Sequence, residues 1–352
     1  MTLKILLAGL GMRGTYWAEV IHRSPECEMV GYVDPNPAAI ERIAEKYGAQ
    51  PSFSTVEEAL DTLENVDALV LANPPIGREK QIGAAAARHI PMLIEKPLAV
   101  SVREASELVA LVGDTPLMVG LNFRYLKVTI AAMKLLAEQT VGAPEFARFT
   151  YERYRDGHRA NLNKYPLTMD QPMLWEQSIH HFDLMRYVYG AEPVLVESMT
   201  WNPSWSMYQS DANVAALFTF ERPQQRDLIV NYQGTWQSHW SQPNFEWRTE
   251  CSSGVMIQRD QFGDLGYARR DDPQLTNISL PPHELWITET EGLLAAFVDS
   301  VVNGAPLPCS GRDHILSLAM VEACARSSME RKPVTIATIL EEGGYTTLPL
   351  SG

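Results

Sequence analysis

The chain has 352 residues, a length that predicts about two domains. Hydrophobic residues make up 45% and charged residues 20%, so the chain can bury a sizeable core and a disordered protein is disfavoured. The formal charge of −14 disfavours non-specific binding to nucleic acid or to an anionic membrane surface, but it allows an anionic small molecule in a local basic pocket.

The first third of the chain alternates short apolar stretches with amphipathic ones. Strands are predicted over residues 3–8, 28–34, 66–72, 91–97 and 116–122. Helices are predicted between them over residues 14–23, 36–48, 77–89 and 102–113. This alternation is typical of a doubly wound parallel sheet, so we expect an α/β domain over residues 1–122.

The pattern changes after about residue 123. A helix over residues 127–138 precedes stretches of alternating polar and apolar residues at 145–155, 194–202, 213–221 and 227–236. A period of two predicts antiparallel strands with one buried and one solvated face. Two late helices are predicted over residues 284–303 and 311–331. We expect residues 123–352 to form an α+β domain for substrate binding and oligomerisation, whose late helices can pack back on the first domain.

A glycine motif, GLGMRG, joins the first predicted strand to the first helix. Gly9, Gly11 and Gly14 have the GxGxxG spacing, which alone is a weak signal, but its place between a strand and a helix is typical of a dinucleotide site. Gly9 permits the tight turn, Gly11 lets the backbone approach the pyrophosphate, and Gly14 allows close helix packing. The helix N-terminus offers N–H groups to the phosphates.

Asp34, at the end of the second predicted strand, bears on which dinucleotide binds. Its carboxylate would accept hydrogen bonds from the ribose hydroxyls and would repel a 2′-phosphate, so NAD is preferred over NADP. The PNP segment that follows offers no arginine to neutralise such a phosphate. The alternative is a plain turn aspartate before Pro35.

Ligands of parallel sheets bind at the carboxyl ends of the strands, where further residues are predicted to wall the cofactor. The predicted set is Gly9, Gly11, Met12, Arg13, Gly14, Asp34, Asn73, Pro74, Glu95 and Lys96. For the ANPPIG segment an ordinary proline-rich turn is the alternative. Lys96 can also donate to a substrate hydroxyl and stabilise a developing alkoxide, with a solvated lysine at a strand end as the alternative.

The stretch EQSIHHFDLMRY, residues 176–187, reads as an amphipathic helix. Glu176, His180 and Asp183 are spaced i, i+4, i+7 and are expected to share one face, where a histidine oriented by a carboxylate can transfer protons. A structural polar cluster and a metal site are the alternatives, although no third metal ligand has a typical spacing. His181 lies about 100° around the helix and is expected to line the edge of the substrate pocket or to pack structurally.

Taken together, AGLGMRG, EKP, VGLNFRY and EQSIHHFDLMRY resemble the glucose–fructose oxidoreductase / inositol dehydrogenase family (Gfo/Idh/MocA). The resemblance extends over nearly the whole chain, including the late segment HILSLAMVEACARSSMERKPV. It implies an N-terminal Rossmann domain and a C-terminal domain built on a large, mostly antiparallel open sheet. It also implies dimers or tetramers, often formed through that sheet, and oxidation or reduction of sugars and polyols with NAD(P).

The resemblance implies catalytic roles for particular residues. The family's EKP lysine matches Lys96, and its DxGxHxxD motif matches Glu176, Ser178, His180 and Asp183. His180 would then be the proton donor and acceptor, assisted by the lysine and the carboxylates. Glutamate replaces the usual aspartate at the first motif position and serine replaces the usual glycine, which puts the choice of substrate in doubt.

The family's asparagine–arginine element after the fifth strand matches Asn122 and Arg124, and it adds Asn122 to the cofactor set. Arg78 stands where many members carry a histidine. The predicted substrate-binding residues are Arg124, Tyr154, Glu176, His180 and His181.

Two compositional features bear on the substrate. Four basic residues precede the histidine helix and suit an anionic group, unless they belong to a solvated strand and loop: Arg153, Arg155, Arg159 and Lys164. Four tryptophans suit sugar rings, but they equally fill sheet cores and interfaces: Trp201, Trp205, Trp236 and Trp240.

The sequence thus predicts an NAD-dependent dehydrogenase or reductase for a secondary alcohol or ketone of a sugar, polyol or derivative. We expect a carbohydrate-like substrate, neutral or anionic, no metal, no nucleic-acid or membrane partner, and a homodimer or homotetramer. Four scattered cysteines without a CxxC pair predict reduced thiols in a cytoplasmic protein. Two alternatives stay open: an NAD-linked glycosidase acting by oxidation, elimination, hydration and reduction, and an NAD-binding regulator, which intact Lys96 and His180 disfavour.

Overall fold

A computed structural model describes residues 2–160 and 162–345 of the chain. The chain divides into two compact units. The first comprises Met1–Tyr125 and Glu284–Ile315, and the second comprises Leu126–His283 and Leu316–Gly352. The first unit therefore takes in a late segment of the chain as well as the N-terminal part. Within the described residues, no helix has the length and apolar character needed to cross a bilayer.

The first unit contains a parallel sheet of six strands: β1 Leu3–Ala8, β2 Cys27–Val33, β3 Ser52–Phe53, β4 Ala68–Leu71, β5 Met92–Glu95 and β6 Leu117–Gly120. Their order in the sheet is β3-β2-β1-β4-β5-β6, and the chain direction across the sheet reverses between β1 and β4. The predicted doubly wound fold is confirmed. The five predicted strands are present, and the short β3 is an addition.

The helices of this sheet are α1 Met12–Arg23, α2 Pro37–Tyr47, α3 Val56–Thr62, α4 Glu79–Ala86 and α5 Val102–Val112. Helix α3 was not predicted, because its seven residues are too few to show a period clearly. A local signal was nevertheless present. The Thr55 side chain accepts a hydrogen bond from the Glu58 N–H, and the Glu58 carboxylate accepts one from the Ser54 N–H, an arrangement close to a capping box.

The remaining elements are α6 Lys127–Ala137, β7 Pro144–Glu152, α7 Ile179–Tyr189, β8 Glu192–Trp201, β9 Asn213–Glu221, β10 Leu228–Thr235, β11 Asn244–Cys251, β12 Gly254–Asp260, β13 Gly263–Arg269, β14 Thr276–Asn277, α8 Thr288–Asn303, α9 Gly311–Glu330, β15 Val334–Thr335 and α10 Ile336–Glu342. Short 3-10 helices cover Asn122–Tyr125 and Tyr165–Leu167, and a π-helical segment covers Met173–Ser178. The predicted boundary after residue 122 falls within the first of these 3-10 helices.

The second unit is built on a nine-stranded sheet of order β14-β13-β12-β11-β7-β10-β9-β8-β15. Strands β7 and β10 pair in parallel, and the other described neighbours are antiparallel. The predicted large, mostly antiparallel sheet is confirmed. Strands β11 to β13 were not predicted, because their solvated face carries charged residues such as Glu246, which pairs with Arg148 of β7 and lowers the hydrophobic signal.

Helix α7 packs on the buried face of this sheet through an aromatic side chain. The Phe182 ring meets Phe218 of β9 at 4.9 Å and Tyr232 of β10 at 5.0 Å between centroids, both edge-on. On the same face, the Ser198 N–H of β8 donates to the Ser327 hydroxyl of α9 at 3.0 Å. The Phe182 contacts hold α7, which carries the two adjacent histidines, against this face.

Candidate active site

The turn between β1 and α1 contains three glycines. The space around Gly11 is open, whereas neighbouring backbone atoms leave no room for a side chain at Gly9 or Gly14. Gly9 has φ +82°, and a Cβ on it would lie 2.5 Å from the Asn73 backbone nitrogen. A Cβ on Gly14 would overlap the Gly9 carbonyl oxygen. At Gly11, where α1 begins, the described part of the chain has no atom within 4 Å of an added Cβ. The turn therefore fits a pyrophosphate at the helix N-terminus, since glycine leaves those N–H groups without a side-chain cap.

Asp34 is half-buried and anchors this turn. Its carboxylate accepts hydrogen bonds from the Leu10 N–H at 2.7 Å and from the Asn36 N–H at 2.8 Å. The Leu10 carbonyl accepts a hydrogen bond from the Arg42 guanidinium of α2. An arginine thus does lie close to the aspartate, although the PNP segment itself has none. Arg42 was not predicted at this turn, because it lies within α2 and not in the segment that directly follows the strand.

Glu95, at the end of β5, ties the glycine turn to its neighbouring strands. Its Oε1 accepts hydrogen bonds from Arg13 Nε at 2.8 Å and from Trp17 Nε1 at 2.9 Å. A Cβ on Gly120 of β6 would come within 3.3 Å of the Glu95 carboxyl carbon, so this glycine makes room for the carboxylate.

Met12, another of the predicted cofactor residues, is exposed at the start of α1.

The loops after β4 and β5 are joined by Arg78, whose side chain is only 1% exposed. Its Nε donates to Asn73 Oδ1 at 3.3 Å, and its Nη1 donates to the Pro97 carbonyl at 2.7 Å. Pro74 is exposed and Lys96 is half-buried. The Lys96–Pro97 peptide bond is cis.

The asparagine–arginine element after β6 is buried in the first unit. The Asn122 amide lies 3.5 Å from the carboxylate of Glu289, which is fully buried in α8. The Arg124 guanidinium is 4% exposed, donates to the Pro308 carbonyl, and pairs with Asp313 at 2.6 Å. This position does not favour the substrate-binding role that we predicted for Arg124, because its nitrogens hold the late segment of the chain.

The histidine stretch is not one continuous α-helix. Glu176 lies in the π-helical segment, whereas His180 and Asp183 lie in α7. A π-helix has a wider turn than an α-helix, so ideal α-helical angles do not apply between Glu176 and His180, and their shared face stays a prediction. His180 and Asp183, at i, i+3 within α7, do share a face. Single-turn π segments occur frequently at functional sites.

The carboxylate that follows His180 belongs to a buried polar network. Asp183 is 1% exposed, and its Oδ1 accepts a hydrogen bond from the Ser317 hydroxyl at 3.0 Å. Arg186 donates to the same hydroxyl at 2.8 Å and forms a two-point ion pair with Glu192 at 2.6 and 2.9 Å. Asp183 is therefore held rigidly beside a histidine that is 8% exposed.

His181 is fully buried within the second unit, between the Phe149 and Tyr151 rings at centroid distances of 4.7 and 4.8 Å. Its Nε2 lies 3.1 Å from the Gln177 amide nitrogen, which donates, so its Nδ1 carries the proton and donates to the Tyr232 hydroxyl at 2.9 Å. Burial lowers the pKa of His181 to about 3. Of our two expectations for this residue, its position fits structural packing and does not favour substrate binding.

The basic segment is partly occupied by contacts of its own. The Arg155 guanidinium lies 4.4 Å from the centre of the Trp236 ring, and Lys164 donates to carbonyls of its own loop. Arg153 and Arg159 are exposed. Lys164 is exposed as well, so three of the four basic residues face solvent and Arg155 is half-buried.

The aromatic residues divide in the same way. Trp236 is buried, while Trp201, Trp205, Trp240 and Tyr154 are exposed.

Within the described residues, no group of three His, Cys, Asp or Glu side chains is arranged to hold a metal ion. The structure therefore gathers the predicted cofactor residues in the first unit, and the predicted proton-transfer residues in the second.

The sequence matches two models of one family. Residues 3–123 match the oxidoreductase family with an NAD-binding Rossmann fold, and residues 129–257 match the Gfo/Idh/MocA C-terminal domain. The inositol 2-dehydrogenase of Rhizobium meliloti (strain 1021) is 25% identical over 96% of this chain and 100% of its own length. The D-apiose dehydrogenase of Paraburkholderia graminis is 21% identical over 92% and 87% of the two chains.

Among solved structures, an oxidoreductase from Agrobacterium radiobacter in complex with NAD+, L-tartaric acid and magnesium has a similar fold. It aligns with a TM-score of 0.87 at 17% identity, over 97% of this chain and 100% of that one. At this identity the likeness concerns the fold alone. The two family models together cover most of the sequence, and the chain therefore belongs to the Gfo/Idh/MocA family of oxidoreductases with an NAD-binding Rossmann fold.

Proposed function

We propose that the protein is an NAD-dependent dehydrogenase or reductase for a secondary alcohol or ketone of a sugar or polyol. The observation that carries the proposal is the glycine turn, open at Gly11 and closed by backbone at Gly9 and Gly14. Relatives that act on inositol and apiose support the substrate class. The proposal extends to cofactor choice: Asp34 would repel a 2′-phosphate, so NAD is the preferred dinucleotide despite the nearby Arg42.

In this proposal the chain's own residues position the substrate and move its proton. When bound, NAD supplies the hydride acceptor or donor. Lys96 donates a hydrogen bond to the reacting oxygen and stabilises negative charge on it. His180 accepts the hydroxyl proton during oxidation and returns it during reduction. Asp183, fixed by Ser317, positions the helical turn that carries the histidine.

The function is tested by screening polyols and sugars, among them myo-inositol and apiose, with NAD+ while following absorbance of the reduced nicotinamide. We expect Lys96→Met and His180→Asn to lower kcat by at least about 100-fold, the lower end of what a positioned acid or base contributes. His89→Asn, at an exposed position with φ +54° that asparagine tolerates, is the matched control. Full activity of His180→Asn would remove the proposed proton-transfer residue.

A second candidate is an NAD-linked glycosidase for an anionic glycoside. The exposed side chains of Arg153 and Arg159 favour it, because guanidinium groups recognise carboxylates and phosphates. Glycoside cleavage without a net change in nicotinamide absorbance would support this candidate. NAD binding without turnover of any sugar, polyol or glycoside would instead support a regulator.

We also propose a cytoplasmic homo-oligomer. The four cysteines are buried free thiols, which supports a reducing compartment. The solvent-facing side of the nine-stranded sheet carries exposed apolar residues, which supports association through this face: Phe146, Met199, Trp201, Leu217 and Ile229. Light scattering tests this by comparing the mass of the wild type in solution with that of Leu217→Asp. Equal masses for the two proteins would contradict the sheet face as the interface.

A further inference from the structure

The turn that carries Lys96 is held by a buried arginine. Arg78 Nη1 donates to the carbonyl of Glu95, immediately before the lysine, and to the carbonyl of Pro97, immediately after it, both at 2.7 Å. Other nitrogens of the same guanidinium donate to the side chain and backbone of Asn73 after β4. One side chain therefore fixes the backbone on both sides of the lysine and ties it to the neighbouring loop.

A buried histidine holds the same turn from the other end. The Leu98 N–H donates to His314 Nε2 at 3.3 Å, and the His314 side chain is fully buried. The residue lies in the first turns of α9, within the part of that helix that belongs to the first unit. Close packing keeps this helix end in place, since a Cβ on Gly311 would lie 2.5 Å from Leu117 of β6 and 3.6 Å from Leu98.

The chemistry of Arg78 explains why an arginine suits this position. A guanidinium carries five N–H donors in a planar fork, and here they reach carbonyls of two loops at once. A histidine, which we noted at this position in many family members, has at most two donors and a shorter reach. A buried charge is also costly unless its donors are satisfied, so the loop carbonyls and the arginine hold one another in place.

We propose that Arg78 and His314 are positioning residues for Lys96. They form a two-sided clamp that holds the backbone from Glu95 to Leu98 and so presents the lysine ammonium at one place. This proposal rests on the proposed function in one respect, namely that Lys96 contacts the reacting oxygen of the substrate. Misplacing a reacting group by about 1 Å can lower a rate by ~100-fold, so a loosened turn should affect kcat more than cofactor affinity.

The test compares Arg78→Met, Arg78→Lys and His314→Gln with the wild type, using NAD+ and myo-inositol as probes. Arg78→Met should lower kcat by ~100-fold while the Kd for NAD+ changes by less than about threefold. Arg78→Lys should recover part of kcat, because its ammonium keeps a charged donor group but lacks the planar fork that reaches both loops. The matched control is Arg88→Met, an exposed arginine at the far end of the same helical region, which should behave as wild type.

Two readouts do not depend on turnover. Hydrogen exchange of the Leu98 amide should quicken in His314→Gln and in Arg78→Met, but not in Arg88→Met. After reductive ¹³C-methylation, the Lys96 resonance, assigned by its loss in Lys96→Met, should shift or broaden in the clamp variants only. If Arg78→Met fails to fold, Arg78→Lys and His314→Gln decide the question by the same readouts.

The measurements distinguish a wrong role for Lys96 from a wrong role for Arg78 and His314. A fully active Lys96→Met enzyme would overturn the proposed role of Lys96, while exchange and resonance would still report on the clamp. An inactive Lys96→Met enzyme together with unchanged kcat, exchange and resonance in Arg78→Met and His314→Gln would overturn the clamp. If myo-inositol is not oxidised, unchanged exchange and resonance alone would overturn it.

Discussion

Arg13, in the first turn of α1, forms an ion pair with Glu95 at the end of β5, with Nη2 and Oε1 2.7 Å apart. The Trp17 indole of the same helix donates to the same oxygen at 2.9 Å. The pair links the glycine turn, where the cofactor is proposed to bind, to the residue that precedes Lys96. In the proposed function, cofactor binding and the placement of the lysine would therefore share one buried carboxylate.

Glu95→Gln should lower the free energy of unfolding by about 1 to 3 kcal/mol, because the hydrogen bonds from Arg13 and Trp17 lose their charged acceptor. It should also weaken NAD+ binding, since the first turn of α1 loses an anchor. Denaturant unfolding and titration calorimetry measure the two effects. Glu45→Gln, on the exposed side of α2, is the control, and equal behaviour of the two variants would contradict the anchoring role.

Two substitutions in the glycine turn should separate folding from cofactor binding. Gly11→Ala adds a methyl group where the described chain leaves open space, so the melting temperature should stay near that of the wild type while NAD+ affinity falls at least about tenfold. Gly14→Ala adds the same group against the Gly9 carbonyl, so both stability and affinity should fall. Normal NAD+ binding by Gly11→Ala would place the pyrophosphate elsewhere.

His181 should make stability depend on pH. Its pKa in the folded chain is about 3, below the ordinary 6.5, so between these values the unfolded chain binds more protons. The stability that this residue contributes is complete above pH 6.5 and falls as the pH drops toward 3, by at most about 1.4 kcal/mol per pH unit.

Denaturant unfolding of the wild type and of His181→Gln between pH 7 and about pH 4.5 measures this contribution. The glutamine variant cannot titrate, so its stability should fall less steeply with acid than that of the wild type. Parallel curves for the two proteins would mean that the histidine does not stay neutral in the interior.

Arg124→Met should lower the free energy of unfolding by about 1.5 to 3 kcal/mol, because Asp313 and the Pro308 carbonyl lose a charged donor. Arg88→Met, which breaks an exposed ion pair with Asp61, should cost no more than about 1 kcal/mol. Substrate KM should change little in either variant. A large rise in KM with unchanged stability for Arg124→Met would restore the substrate-binding role predicted from the sequence.

The sequence by itself determined the fold class, because the periods of apolar residues and the spacing of glycines are local patterns. Strands β1, β2, β4, β5 and β6 could be predicted because each is a buried apolar run beside a helical repeat. β3, with two residues, is too short to show a pattern. The GxGxxG motif could be predicted because a tight turn, an open approach and a close helix contact each demand glycine at a fixed spacing.

Only the tertiary structure decided what the polar side chains do, because their partners are far away in the sequence. The i, i+4 rule could not reveal that Glu176 lies in a π-helical segment, since the same residues fit either winding. Adjacent histidines look alike in the sequence, yet packing against two β-strands buries His181 and leaves His180 slightly exposed. The bond from Leu98 to His314 spans 216 residues, a pairing that no local pattern encodes.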